Sequence, residues 1–153
     1  MYKRQEASLL REEFWTTFGQ YMSPVLSSEG MRINWINYKT GFRHVYFRMD
    51  VNNTLATISI SLEHPDPDIR ELYFQQFEEL KTLLHASLGE EWNWQQYTTV
   101  GEGKIISRIY KELAGVSLFN KEFWPDLISF FKPRIIALDR FWEDARYTFE
   151  TLR

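Results

Sequence analysis

Between Phe42 and Leu62 apolar and polar residues alternate, as in strands whose successive side chains point to opposite sides of a sheet. Val45, Phe47, Met49 and Val51 share one side, and His44, Tyr46, Arg48 and Asp50 share the other. After Asn52-Asn53, the residues Ala56, Ile58, Ile60 and Leu62 face in, while Thr57, Ser59, Ser61 and Glu63 face out. Asn52-Asn53 tolerates the positive φ of a primed hairpin turn, and Lys39-Thr40-Gly41 offers the glycine of a three-residue hairpin. The segment from Arg32 to Leu62 is therefore expected to form three consecutive antiparallel strands, a meander with one apolar and one polar face.

Helical spacing governs much of the rest. Leu10, Phe14, Phe18 and Tyr21 mark an amphipathic helix over about 5–22, ended by Ser23-Pro24. Asp66 and Pro67 open a second helix, whose stripe of Ile69, Tyr73, Phe77, Leu80, Leu84 and Leu88 runs to Gly89. Trp92 to Thr98 and Ile105 to Leu113 read as two further strands with imperfect alternation, joined by a loop containing Gly101 and Gly103. A loop from Gly115 to Asn120 leads into a closing helical region. There Pro133 is expected to impose a break or kink, and Ile135, Leu138, Trp142, Ala145, Phe149 and Leu152 form an apolar stripe. The order α-β-β-β-α-β-β-α makes an α+β fold, with an antiparallel meander sheet and helices mainly on one face. One domain spanning residues 1–153 is the expected organisation.

Composition narrows the function classes. With 153 residues, 12 Phe, 8 Tyr and 6 Trp, the chain can build a core without metal or disulfide staples. The absence of Cys excludes disulfides, thiol nucleophiles and thiolate metal sites. A net charge of −3 argues against coating nucleic acid by charge alone. The charge is unevenly spread: Arg32, Lys39, Arg43 and Arg48 cluster with only Asp50 opposing them, while acids dominate from Glu63 to Glu91. No apolar run has signal-peptide or transmembrane length, so no membrane association is expected and a cytoplasmic location is the simplest reading.

Phe14-Trp15, the run from Trp35 to Gly41, the stretch from Arg108 to Leu113 and Phe123-Trp124-Pro125 together resemble a bacterial family catalogued as domain of unknown function 4268. The resemblance covers nearly the whole chain and rests on packing aromatics and turn residues. It implies a module that occurs alone or after nuclease-like domains, linked to DNA metabolism or defence. It brings no catalytic residues with it.

The candidate chemistry divides three ways. The leading expectation is a non-catalytic binding or interaction module without a cofactor, with nucleic acid or a nuclease-like protein as partner. Its site would be the outward sheet face carrying Tyr38, His44, Tyr46, Arg48, Thr57 and Ser59, where aromatic and cationic groups stack bases and neutralise phosphates. The alternative is a divergent restriction-nuclease-like enzyme with Asp50 and Glu63 as metal ligands, since the early element order matches that class. Against it, the strand Thr57 to Ser61 lacks the acid-x-Lys triplet such enzymes need. Glu63, His64, Asp66 and Asp68 also fall close together, but a helix start explains the acids and prolines there. The third reading is a homo-oligomer joined through the apolar stripe from Ile135 to Leu152, unless the monomer buries that stripe itself.

Overall fold

The computed structural model describes residues 3–153. Its elements are α1 (Arg4–Met22), β1 (Val45–Val51), β2 (Leu55–Leu62), α2 (Pro67–Glu79), α3 (Lys81–Leu88), β3 (Asn93–Val100), β4 (Lys104–Ala114) and α4 (Trp124–Ala145), followed by a 3-10 segment, Arg146–Leu152. The α+β class stands, with a four-stranded antiparallel sheet in the order β1-β2-β4-β3. Two hairpins, β1-β2 and β3-β4, are joined through β2 and β4, whose register runs from Leu55 opposite Ala114 to Leu62 opposite Ser107.

The expected first strand of the meander does not form. From Arg32 to Thr40 the chain turns irregularly, because the Asn34 side-chain oxygen accepts from the amides of Ile36 and Asn37 and so offers the backbone a local alternative to pairing. Trp35 is buried, its indole N–H donating to the Val25 carbonyl, while Ile33 and Ile36 stay exposed. The β1-β2 hairpin closes without positive φ: Asn52 Oδ1 instead accepts from the amides of Thr54 and Leu55.

The second helix begins as its sequence suggests. Asp66 accepts from the Asp68 amide at 2.9 Å, and Pro67 occupies the first turn. It then divides at Leu80 into α2 and α3, before Gly89 ends α3 with φ 71°. Pro133, by contrast, leaves α4 unbroken. Pro133 and Ser129, four residues before it, both lie on the exposed face, so water can replace the lost hydrogen bond while Phe130, Phe131, Ile135 and Leu138 stay packed.

The helices cover the face of the sheet that carries Val45, Phe47, Ala56, Ile58, Ile60 and Ile109. Trp142 of α4 is the hub of that interface. It lies against Phe47 at 5.7 Å, Phe77 at 6.0 Å and Phe149 at 5.2 Å between ring centres, and its indole donates to the Thr40 carbonyl at 2.8 Å. Ile135, Leu138, Trp142, Ala145 and Phe149 are all buried within this core. The closing stripe is thus buried within the chain itself, with Leu152 partly buried at its end. Among the described residues, no helix is long and apolar enough to cross a membrane.

Candidate binding face of the sheet

The strand register brings Arg and Tyr side chains together on the face opposite the helices. Tyr46 of β1 lies across from Ser61 of β2, which lies across from Arg108 of β4 and then Gln95 of β3. The next row runs Arg48, Ser59, Tyr110 and Asn93. β1 and β4 thus each contribute one aromatic and one guanidinium at an i, i+2 spacing, and these stack within their own strands. The Arg48 guanidinium sits 4.2 Å from the Tyr46 ring centre, and that of Arg108 sits 4.0 Å from Tyr110. Each stack contributes about 0.5–1 kcal/mol and holds a flexible cation in one place. Ser59 and Ser61 form the floor between the two stacks and are buried by their long neighbours.

Glu63 closes one end of this face. Its carboxylate accepts from Arg48 Nε at 2.5 Å, Lys104 Nζ at 2.6 Å and the Ser61 hydroxyl at 2.8 Å. Burial pushes its pKa up, but these three donors outweigh burial and hold the carboxyl down at about 2. The same hydrogen bond raises the pKa of Arg48. Two cations share one carboxylate here, and Arg108, which donates to the neutral Gln95 at 2.8 Å, has no carboxylate partner among the described residues, so this end of the face is net positive. Asp50 and Glu112 lie in the third row, at either side of Thr57, and put carboxylates at the far end, where Arg11 of α1 faces Asp50.

The residues expected at a binding site are therefore separated. Tyr46, Arg48 and Ser59 share the outward face, with Thr57 one row further on. Tyr38 does not join them, because the strand that would have placed it there is absent. It stacks on Phe47 at 5.0 Å on the helix side, and its hydroxyl donates to Asp139. His44 precedes β1 with φ 66°, the single non-glycine positive φ among the described residues, and packs edge-on against His64 at 4.7 Å.

Asp50 and Glu63 do not converge. Val45 pairs with Leu62, next to Glu63, and Asp50 lies five residues further along β1, about 17 Å away at strand rise. Among the described residues no group of three or more His, Asp or Glu side chains is placed to hold a metal ion.

Arg108 and Tyr110 belong to the outward face although the sequence reading passed over them. The clue was present in the two i, i+2 patterns, Tyr46-Phe47-Arg48 and Arg108-Ile109-Tyr110, which place tyrosine and arginine on one side of a strand.

These features define an α+β protein built as two hairpins, with helices on one face of the sheet and a polar, cation-bearing face on the other. The chain belongs to the family described as domain of unknown function (DUF4268), whose model matches residues 10–146. No curated protein and no solved structure matches it.

Proposed function

We propose that this protein is a non-catalytic binding module whose uncovered sheet face takes up single-stranded nucleic acid. The observation that carries the reading is the pair of Tyr–Arg stacks, Tyr46 with Arg48 and Tyr110 with Arg108, held on either side of a serine floor. Planar guanidinium and phenol groups accept the faces of bases, and Arg48, Arg108 and Lys104 supply charge opposite phosphates. The acidic end at Asp50 and Glu112 limits the track to the positive part of the face, which favours a short strand over a long duplex.

The test is a titration of intrinsic Trp fluorescence with oligothymidylate and with duplex DNA over a salt series. Three cations opposite phosphates predict a slope of log affinity against log salt of about −2 for the single strand. Arg108→Ala weakens binding more than Arg134→Ala, because Arg134 is held by Glu90 on the helix side. No saturable change at low salt, or equal loss in both variants, removes the reading.

A further inference from the structure

A second cationic site lies beyond the end of the sheet face, where the turn before β1, the β2-α2 turn, α2 and the closing 3-10 segment meet. A cavity of about 540 Å³ there is lined by Arg43, His44, His64, Pro65, Tyr73 and Arg153, among others. A second, of about 370 Å³, is lined by Glu63, Pro65, Arg70 and Lys104, among others. A narrow recess of about 10 Å³, room for about one water, is walled by Arg43, His44, His64, Arg70 and Tyr73 and connects Arg70 to the larger cavity's lining.

Arg70 sets this place apart. It is 5% exposed, its Nη1 donates to the His64 carbonyl at 3.0 Å, and its Nε is buried without an acceptor. Arg48, Arg134, Arg146 and Arg153 each have a carboxylate within 4.0 Å, whereas Arg70 has none among the described residues. A guanidinium removed from water without a counter-charge is costly, and the first turn of α2, where Arg70 sits, carries the positive end of the helix dipole. The protein therefore holds a buried cation, without a carboxylate partner among the described residues, beside two cavities.

His64 adds a donor. Its Nδ1 accepts from the Asp66 amide at 3.0 Å, which leaves the proton of the neutral ring on Nε2. His44, held at φ 66°, fixes the His64 ring from the other side. Burial lowers the pKa of His44, with His64, Arg43 and Lys104 acting in the same direction against Glu63. The nearby acids are engaged: Glu63 with Arg48 and Lys104, Asp66 with the Asp68 amide, and Glu150 with Arg153. Asp68 also stands on this turn and lines none of the three recesses.

We propose that the larger cavity binds a phosphate-type oxyanion, held by Arg43 and the Nε2–H of His64, with the buried charge of Arg70 behind the His64 wall favouring the anion. The assignment stands apart from the reading of the sheet face, and neither requires the other. The ligand's phosphate can be free or can be the terminal phosphate of a nucleotide chain, since both present the same oxygens.

The experiment is an NMR titration of the three histidine ring signals with inorganic phosphate at constant ionic strength and pH. His44 and His64 shift saturably, while His85, on α3 against Trp94, does not. Arg43→Gln weakens the titration at least about tenfold, the loss expected for one charge-assisted hydrogen bond. Arg70→Met also weakens it, by removing a buried positive charge near the cavity, and does not unfold the chain, because that charge is uncompensated. A 5′-phosphorylated oligothymidylate that shifts the same rings at lower concentration than its 5′-hydroxyl counterpart identifies a strand end as the source. Equal behaviour of the two, with inorganic phosphate active, identifies free phosphate. Shifts no larger at His44 and His64 than at His85, or wild-type titration in both variants, overturn the proposal.

Discussion

The Tyr38 hydroxyl donates to Asp139 Oδ1 at 2.6 Å and so ties the irregular segment before β1 to α4 across 101 residues of chain. The second carboxylate oxygen, Oδ2, accepts from the Ser28 amide at 2.7 Å. Burial and then the Asp139 hydrogen bond raise the Tyr38 pKa, so the phenol stays protonated and remains a donor. Tyr38→Phe is expected to cost about 1 kcal/mol in urea unfolding. Asp139→Ala, which strands two donors, is expected to cost about 2–4 kcal/mol. A larger effect of the tyrosine change than of the aspartate change would contradict this arrangement.

That lock also explains what could be read from the sequence and what could not. Alternation identified β1 and β2, and Asp66, Pro67 and Gly89 marked the limits of the second helical region, because hairpin and capping chemistry act between near neighbours. The segment from Arg32 to Thr40 was misread as a strand because its apolar residues imitate alternation. Its course is set by Asn34 locally and by Asp139 and Trp142 from far along the chain. The imperfect alternation of the third strand has its cause in a register shift between Gln95 and Thr98. For the site, Tyr46, Arg48 and Ser59 were legible by face. Arg108 and Tyr110 come from a strand more than 40 residues further on, and only the β2-β4 register brings them alongside.

Acid stability provides a second prediction. The folded-state pKa of Glu63 is depressed from 4.5 to about 2, so its contribution is fully present above 4.5 and is lost as pH falls from there through about 2. Glu90 acts in the same sense: burial raises its pKa, but the two-pronged contact with Arg134 and the Trp92 indole outweigh burial and lower it. Glu63→Gln is expected to cost about 1–3 kcal/mol at neutral pH and to flatten the acid limb in that window. Thermal melts between pH 2 and pH 5, read as the difference from wild type, check it; a constant difference across this range would count against the Glu63 network.

Divalent metal should have no specific effect. Asp50 and Glu63 lie near opposite ends of β1, and Glu63 is already occupied by two cations. Added Mn²⁺ is expected to leave the melting temperature within about 1 °C, since only a ligand that binds the folded state shifts it. A saturable rise that disappears in both Asp50→Asn and Glu63→Gln would reopen the enzyme reading.

The core makes a further, purely structural prediction. Phe77 lies against Phe141, Trp142 and Phe149 and is fully buried. Phe77→Ala is expected to cost about 3–5 kcal/mol, through lost burial and the cavity left among rings that cannot close together. Chemical denaturation monitored by Trp fluorescence measures it, and a loss below about 1 kcal/mol would mean that the hub repacks.

Photochemical cross-linking of a labelled oligothymidylate, followed by peptide mapping, tests the binding face most directly. Attachment at Tyr46 and Tyr110, on β1 and β4, is the predicted result. Tyr21 and Tyr147, on the helical side and 55% and 62% exposed, are the internal controls for contact by chance. Cross-links confined to those two tyrosines, or none at a concentration that saturates fluorescence, would contradict the account.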